Sequence, residues 1–130
     1  MKSPLDIANE FFALTAPQGR DVATLLGPIS GLLADDLTFI GPLMKTKGRD
    51  QYLALLGQFL PAHVGYALHK QFVNGDDVCS IYDMTVRTPG GEPLTLELVD
   101  WLTIKNGRIA TQKLFYDPRK FAAAFGMTNA

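Results

Sequence analysis

The second half of the chain constrains the fold most. Segments of β character near residues 64–73, 78–88, 94–105 and 108–117 follow one another, separated only by NGDD, PGGEP and KNG. These connectors are rich in Gly, Asn, Asp and Pro, the residues that tight hairpin turns require. The pattern predicts an antiparallel meander. A twisted four-stranded meander has an apolar face that something must cover.

The first half supplies that cover. Ser3 is a natural N-cap, Pro4 suits the first helical position, and Asp6 completes an S-x-x-D capping pattern. Ile7, Phe11 and Leu14, with Ala8 and Phe12 beside them, form an apolar face at helical spacing. Thr15 to Gly19 breaks this helix. Helical character resumes over Asp21 to Leu33, where Gly27-Pro28 predicts two short pieces meeting at an angle. A strand follows at about Asp36 to Ile40, closed by Gly41-Pro42. An amphipathic helix spans about Arg49 to Leu60, with Tyr52, Leu53, Leu56, Phe59 and Leu60 inward and Pro61 as its stop. Asp117-Pro118 reads as N-cap and first-turn proline of a last short helix, with Phe121 and Phe125 on one face and Gly126 ending it.

Helices first and a long meander afterwards indicate an α+β fold. The expected architecture is a single domain over residues 1–130. Its curved, mostly antiparallel sheet curls around the N-terminal helices, and a short C-terminal helix follows. A pocket between sheet and helices is the expected ligand site.

Composition narrows the function classes. With 47% hydrophobic and 19% charged residues among 130, the chain can bury a real core. A net charge of −1 gives no broad pull toward nucleic acid or anionic membrane. No apolar run approaches membrane-spanning length, and MKSPLDIANE lacks the apolar core of a signal peptide. The single Cys79 excludes an intrachain disulfide and a Cys-rich metal site. A cytoplasmic setting, no metal and no cofactor are the expectations. His63, at a helix end, reads as exposed; with His69 and no matching acidic cluster it makes a poor metal site. The basic run Lys45, Lys47 and Arg49 reads as a solvated loop before a helix.

Chemistry concentrates in Leu94 to Ile104. Period-2 alternation places Leu96, Leu98, Asp100, Leu102 and Ile104 on one face, and only Asp100 in that row is polar. Burial of a carboxyl raises its pKa unless a donor or cation compensates, and a neutral acid beside an apolar ligand is a known catalytic device. A structural Asp satisfied by a hydroxyl, an amide or water stands beside that reading. The opposite face carries Trp101 among polar residues, which points to a homodimer interface through the sheet.

Polar partners for Asp100 depend on strand register. If Tyr82 pairs opposite Asp100, then Val78, Ser80, Tyr82 and Met84 face inward. A four-residue NGDD loop then pairs Val73 with Val78 and His69 with Tyr82, and leaves Lys70 near Asp83 outside. His69, Tyr82 and Asp100 would form a proton-transfer set. A one-residue slip would instead turn Tyr82 and His69 outward and put Asp83 inside. In the last strand, a plain Asn106-Gly107 turn would send Lys113 to the Asp100 face. A bulge after Ile109 would turn Gln112, Leu114 and Tyr116 inward, and the cost of burying a lysine favours the bulge. Phe39, Tyr52, Phe59, Met84, Leu98, Gln112, Leu114 and Tyr116 are the candidate ligand-binding residues.

The runs ADDLTFIGP, KGRDQYLALL, NGDDVCSIYDM and LELVDWLTIKNGRIATQKLFYDP resemble the nuclear transport factor 2-like superfamily, particularly its SnoaL-like members, over nearly the whole chain. The resemblance implies a conical α+β barrel with an internal pocket, often dimeric through its sheet. Asp100 matches the oxyanion Asp of ketosteroid isomerases and the strand Asp of limonene epoxide hydrolases. Gly41 stands where the isomerase base would be, Phe11 or Phe12 where its oxyanion Tyr would be. Leu98 and Leu114 stand where the hydrolase Arg and final Asp would be. SnoaL-like cyclases use a His and Asp pair that His69 and Asp100 would imitate. The implied function is binding of a small apolar, carbonyl-containing molecule, either with isomerase, lyase or cyclase chemistry at Asp100 or as a non-catalytic ligand-binding or dimerisation module.

Overall fold

Capping residues set where the helices begin. In the computed structural model, which describes residues 2–16 and 20–127, α1 spans Pro4–Thr15. The Ser3 hydroxyl accepts from the Asp6 amide and the Asp6 carboxylate accepts from the Ser3 amide, each at 3.1 Å. That reciprocal pair satisfies two amides the helix leaves free. Ile7, Ala8, Phe11 and Phe12 form its buried face. Of the break read over Thr15 to Gly19, residues 17–19 lie outside the described residues.

α2 (Val22–Ser30) is capped by the Asp21 carboxylate, which accepts from the Ala23 amide at 3.1 Å. It is one continuous helix, which corrects the expectation of two pieces. Pro28 stands in its last turn, where the missing N–H removes one helical bond. Gly31 still donates to the Gly27 carbonyl at 3.2 Å. The helix ends at Ser30, so the strand starts earlier than its sequence pattern suggests: β1 is Leu33–Ile40.

The basic run brings a second correction. Lys45–Lys47 is not a loop but a short strand, β2, with Thr46 opposite Phe39 of β1. The Gly41 amide donates to the Met44 carbonyl at 2.9 Å and closes the turn between them. α3 (Arg49–Phe59) follows, then a 3-10 turn at Leu60–Ala62 where Pro61 ends the α-helix.

The meander forms as β3 (His63–Asn74), β4 (Asp77–Arg87), β5 (Pro93–Lys105) and β6 (Arg108–Phe115). Strand order is β2-β1-β6-β5-β4-β3. β1 runs parallel to β6, and the other described pairs are antiparallel. The curved sheet stays open, with β2 and β3 at its edges. Asn106 and Gly107 both adopt positive φ, 53° and 75°, as a two-residue hairpin turn of this hand needs. α4 (Arg119–Ala124) takes Pro118, one residue later than expected, as its N-cap. Asp117 accepts from the Arg119 amide at 3.1 Å, Phe121 and Phe125 stack at 4.4 Å, and Gly126 leaves the helix at φ +69°.

Strand alternation assigns the core. Val78, Ser80, Tyr82, Met84 and Val86 of β4 are buried, as are Leu96, Leu98, Asp100, Leu102 and Ile104 of β5. All but Ser80 and Asp100 meet Ile7, Phe11 and Phe12 of α1, Ile29 of α2 and Tyr52 and Leu56 of α3 in one apolar cluster. Each fully buried aliphatic or aromatic side chain contributes about 1.5–3 kcal/mol.

Candidate functional site

Inside that cluster the sheet and helices leave a cavity of about 270 Å³. Its walls are mostly aromatic and aliphatic, from α1, α3, the inner sheet face and α4. Asp100 lies on this wall, 1% exposed.

Three side chains from three elements hold the Asp100 carboxyl, two directly and one through its neighbour. The Tyr82 hydroxyl donates to its Oδ2 at 3.2 Å and the Gln112 amide donates to the same oxygen at 2.9 Å. The Tyr52 hydroxyl donates to Gln112 Oε1 at 2.5 Å, which fixes the amide with its Nε2 toward Asp100. Oδ1 is buried and has no hydrogen-bond partner among the described residues. Burial pushes the carboxyl up to about 7, against the opposing pull of the Gln112 and Tyr82 hydrogen bonds. A neutral carboxyl accepts on its carbonyl oxygen and donates from its hydroxyl. With both donors on Oδ2, the proton belongs on Oδ1. Burial, reinforced by the Asp100 charge, also holds the Tyr82 and Tyr52 hydroxyls protonated well above their ordinary range.

Register explains how this set assembles. Asp100 pairs with Ser80, and Tyr82 pairs with Leu98. The pairing is thus two residues away from the expected Tyr82 opposite Asp100, because five residues, Thr88 to Glu92, separate the paired ends Arg87 and Pro93. A shift of two preserves the face, so Tyr82 still reaches Asp100, diagonally. In β6, Ile109 pairs with Ile104 and Thr111 with Thr103, so Ala110 is looped out as a bulge. That bulge turns Gln112 inward, 5% exposed, and sends Lys113 outward, over the Trp101 ring at 4.8 Å.

The two histidines exchange their expected places. His69 is the bulged residue of β3, between the pairs Leu68–Tyr82 and Lys70–Ile81. It is about half exposed, and its Nε2 lies 3.0 Å from the Asp83 carboxylate on the outer face, taking the place expected of Lys70. The expected His69, Tyr82 and Asp100 set is corrected accordingly: Tyr82 and Asp100 meet, His69 does not. His63, expected at the surface, is buried and lines the cavity. Its Nδ1 lies 2.5 Å from the Thr15 carbonyl, and the Phe59 ring stacks on it at 5.8 Å.

Phe39, Tyr52, Phe59, Met84, Gln112, Leu114 and Tyr116 all line the cavity. Leu98 does not; it is 1% exposed within the core, packed behind the wall. Sequence reasoning missed Phe12 and Tyr66, which pack with Tyr82 as one aromatic wall at centroid distances of 5.3–6.0 Å. The available signal was Phe12 on the apolar face of α1; for Tyr66 a strand bulge hid it. Among the described residues no three His, Cys, Asp or Glu side chains cluster as metal ligands. No described helix is long and apolar enough to cross a membrane.

Comparison with known proteins agrees with this architecture. Among curated proteins no relative matches the chain. An NTF2-like protein of unknown function from Cytophaga hutchinsonii is similar over 93% of this chain and 96% of its own, with 23% identity and a TM-score of 0.76. Another, from Burkholderia pseudomallei, covers 96% and 98% at 17% identity and a TM-score of 0.79. A putative SnoaL-like polyketide cyclase from Jannaschia covers 97% and 93% at 14% identity and a TM-score of 0.76. At such identities the likeness is one of fold. The SnoaL-like domain, by contrast, matches in sequence over residues 9–112, most of the chain. On that match the protein belongs to the SnoaL-like family, and its fold is that of the NTF2-like structures.

Proposed function

We propose that the cavity binds a small, largely apolar molecule through a carbonyl oxygen, with neutral Asp100 as the donor. The observation that carries this reading is the asymmetry of the carboxyl: two donors on Oδ2 and none of its bonding capacity used at Oδ1. A buried acid donating to a carbonyl withdraws charge from it and favours enol formation, without any cofactor. Chemistry of the isomerase, lyase or cyclase type follows from that arrangement. The name polyketide cyclase on two structural neighbours is in keeping with it.

Chalcone, an apolar aryl enone, is a suitable probe. Its affinity should fall about tenfold or more as pH rises from 5.5 to 8.5, because an ionised Asp100 repels a carbonyl oxygen. In Asp100→Asn, whose amide still donates, binding should persist and lose that pH dependence. PH-independent binding by the native chain, or no binding at either pH, would sink the reading. The same variant separates enzyme from binder, since an amide donates a hydrogen bond but gives up no proton. Turnover lost with binding retained marks an enzyme. Thermal stabilisation by a carbonyl compound that is recovered unchanged marks a non-catalytic pocket. One observation favours the latter: Gly41, on the cavity wall where the resemblance would place the isomerase base, carries no side chain to take a proton.

The outer sheet face supports a homodimer. Phe72, Cys79, Trp101 and Lys113 form one row across four strands, and Lys70, Ile81, Val99 and Phe115 form the next. Phe72 and Phe115 are both 51% exposed. Contiguous aromatic surface of this kind marks association sites. Light scattering should give twice the chain mass, and Trp101→Lys should halve it; a native monomer at high micromolar concentration contradicts the interface.

A further inference from the structure

We infer that His63 is the second ligand-binding group of this cavity, accepting a hydrogen bond at Nε2 from a hydroxyl or N–H at the far end of the bound molecule. The inference rests on the binding role proposed for Asp100 and adds the ligand's other end.

The tautomer follows from the neighbours. The Thr15 carbonyl ends α1, where the last turn leaves carbonyls without helical partners. A carbonyl only accepts, so His63 Nδ1, 2.5 Å away, carries the hydrogen. Nε2 then holds a lone pair. It is buried, and it has no hydrogen-bond partner among the described residues. Desolvation lowers the imidazole pKa and so favours the neutral ring, against the backbone groups of Thr15 and Gly65, which raise it. Stacking on Phe59 holds the ring plane. A buried acceptor left without a donor is costly, and a ligand donor would recover that cost.

Position gives the ligand its length. His63 pairs with Val86 and Asp100 with Ser80, so their partners stand six positions apart on β4. That is about 20 Å of extended strand, and both His63 and Asp100 line the cavity. The aromatic wall of Phe12, Tyr66 and Tyr82 lies between. The cavity thus presents a donor, an aromatic stretch and an acceptor in that order. Its complement is an elongated, flat, apolar molecule with a carbonyl at one end and a hydroxyl or N–H at the other.

Two probes isolate the second contact: chalcone, and 4-hydroxychalcone, whose phenol lies on the ring remote from the carbonyl. At about pH 6 the native chain should bind the phenol about tenfold tighter, the worth of one such hydrogen bond. His63→Phe keeps the stacking and should bind both probes equally. The native chain also tests the contact without substitution. It has two histidines, so nitrogen-15 spectra resolve His63, and its Nε2 resonance should move upfield when 4-hydroxychalcone is added but not when chalcone is. If the native chain shows no phenol preference, if His63→Phe retains it, or if Nε2 does not move, the inference is overturned while chalcone binding leaves the Asp100 reading intact. Binding of neither probe overturns both.

Discussion

Raising the pH from 4 to 8 should withdraw stability from this fold through Asp100 alone, and the size of the effect follows from the site. A carboxyl that ordinarily ionises at 3.8 and here keeps its proton to about 7 resists ionisation by a little over three decades. At about 1.36 kcal/mol per decade that is about 4 kcal/mol. The direction follows from proton counts. Below pH 4 both folded and unfolded chains hold the proton, and the group contributes nothing. Between about 4 and 7 the unfolded chain has lost it and the folded chain has not, so stability falls as pH rises. Above about 7 both are ionised and the loss is complete. Urea unfolding of the native chain and Asp100→Asn, taken in parallel across this range, isolates the effect, since the other titrating groups are common to both. The amide can still accept from Tyr82 and Gln112. The difference in unfolding free energy should be flat below pH 4, shift by about 4 kcal/mol against the native chain by pH 7, and be flat again above. A constant difference would refute the reasoning. So would a native chain that gains on the variant with rising pH, because that would mean a carboxylate stabilised by its donors.

Tyr82→Phe removes a donor from Oδ2, so the Asp100 carboxyl should titrate higher still, as followed by carbon-13 shifts, with a stability loss of about 1–3 kcal/mol below pH 6. His69→Ala breaks only the half-exposed pair with Asp83; unfolding should change by less than about 1 kcal/mol, and chalcone affinity should not change. Leu102→Ala empties a fully buried position and should cost about 2–5 kcal/mol in the same urea assay.

The limits of sequence reading here are limits of counting along strands. Hydrophobic alternation has a period of two, so it reports which face a residue takes and is blind to shifts of two. Alternation therefore gives Tyr82 its correct face from the wrong partner. Bulges are what alternation cannot see, because each inserts one residue and exchanges the faces beyond it. β3 has two, at Val64 and His69. The second turns His69 out and Tyr66 in; the first brings His63 opposite Val86. In β6 the bulge was legible, because without it a lysine would stand in an apolar wall. β3 offered no such penalty, since either parity puts acceptable residues on a half-exposed edge. Helix starts were clear from Ser3 and Asp21, whereas Pro28 misled because a proline in a final turn costs far less than one at mid-helix.

The looped-out Ala110 has a consequence for how such a cavity can diverge. Absorbed into a regular ladder, β6 would present Lys113 where the bulged strand presents Gln112 and Leu114. An ammonium beside Asp100 would strip its proton and turn a neutral hydrogen-bond donor into half of an ion pair. One residue's worth of slack in a hairpin therefore separates a pocket suited to carbonyls from one suited to charged ligands, with no substitution in the strand. Relatives that differ by a single insertion or deletion between Gly107 and Gln112 are where a change of ligand class should be sought first.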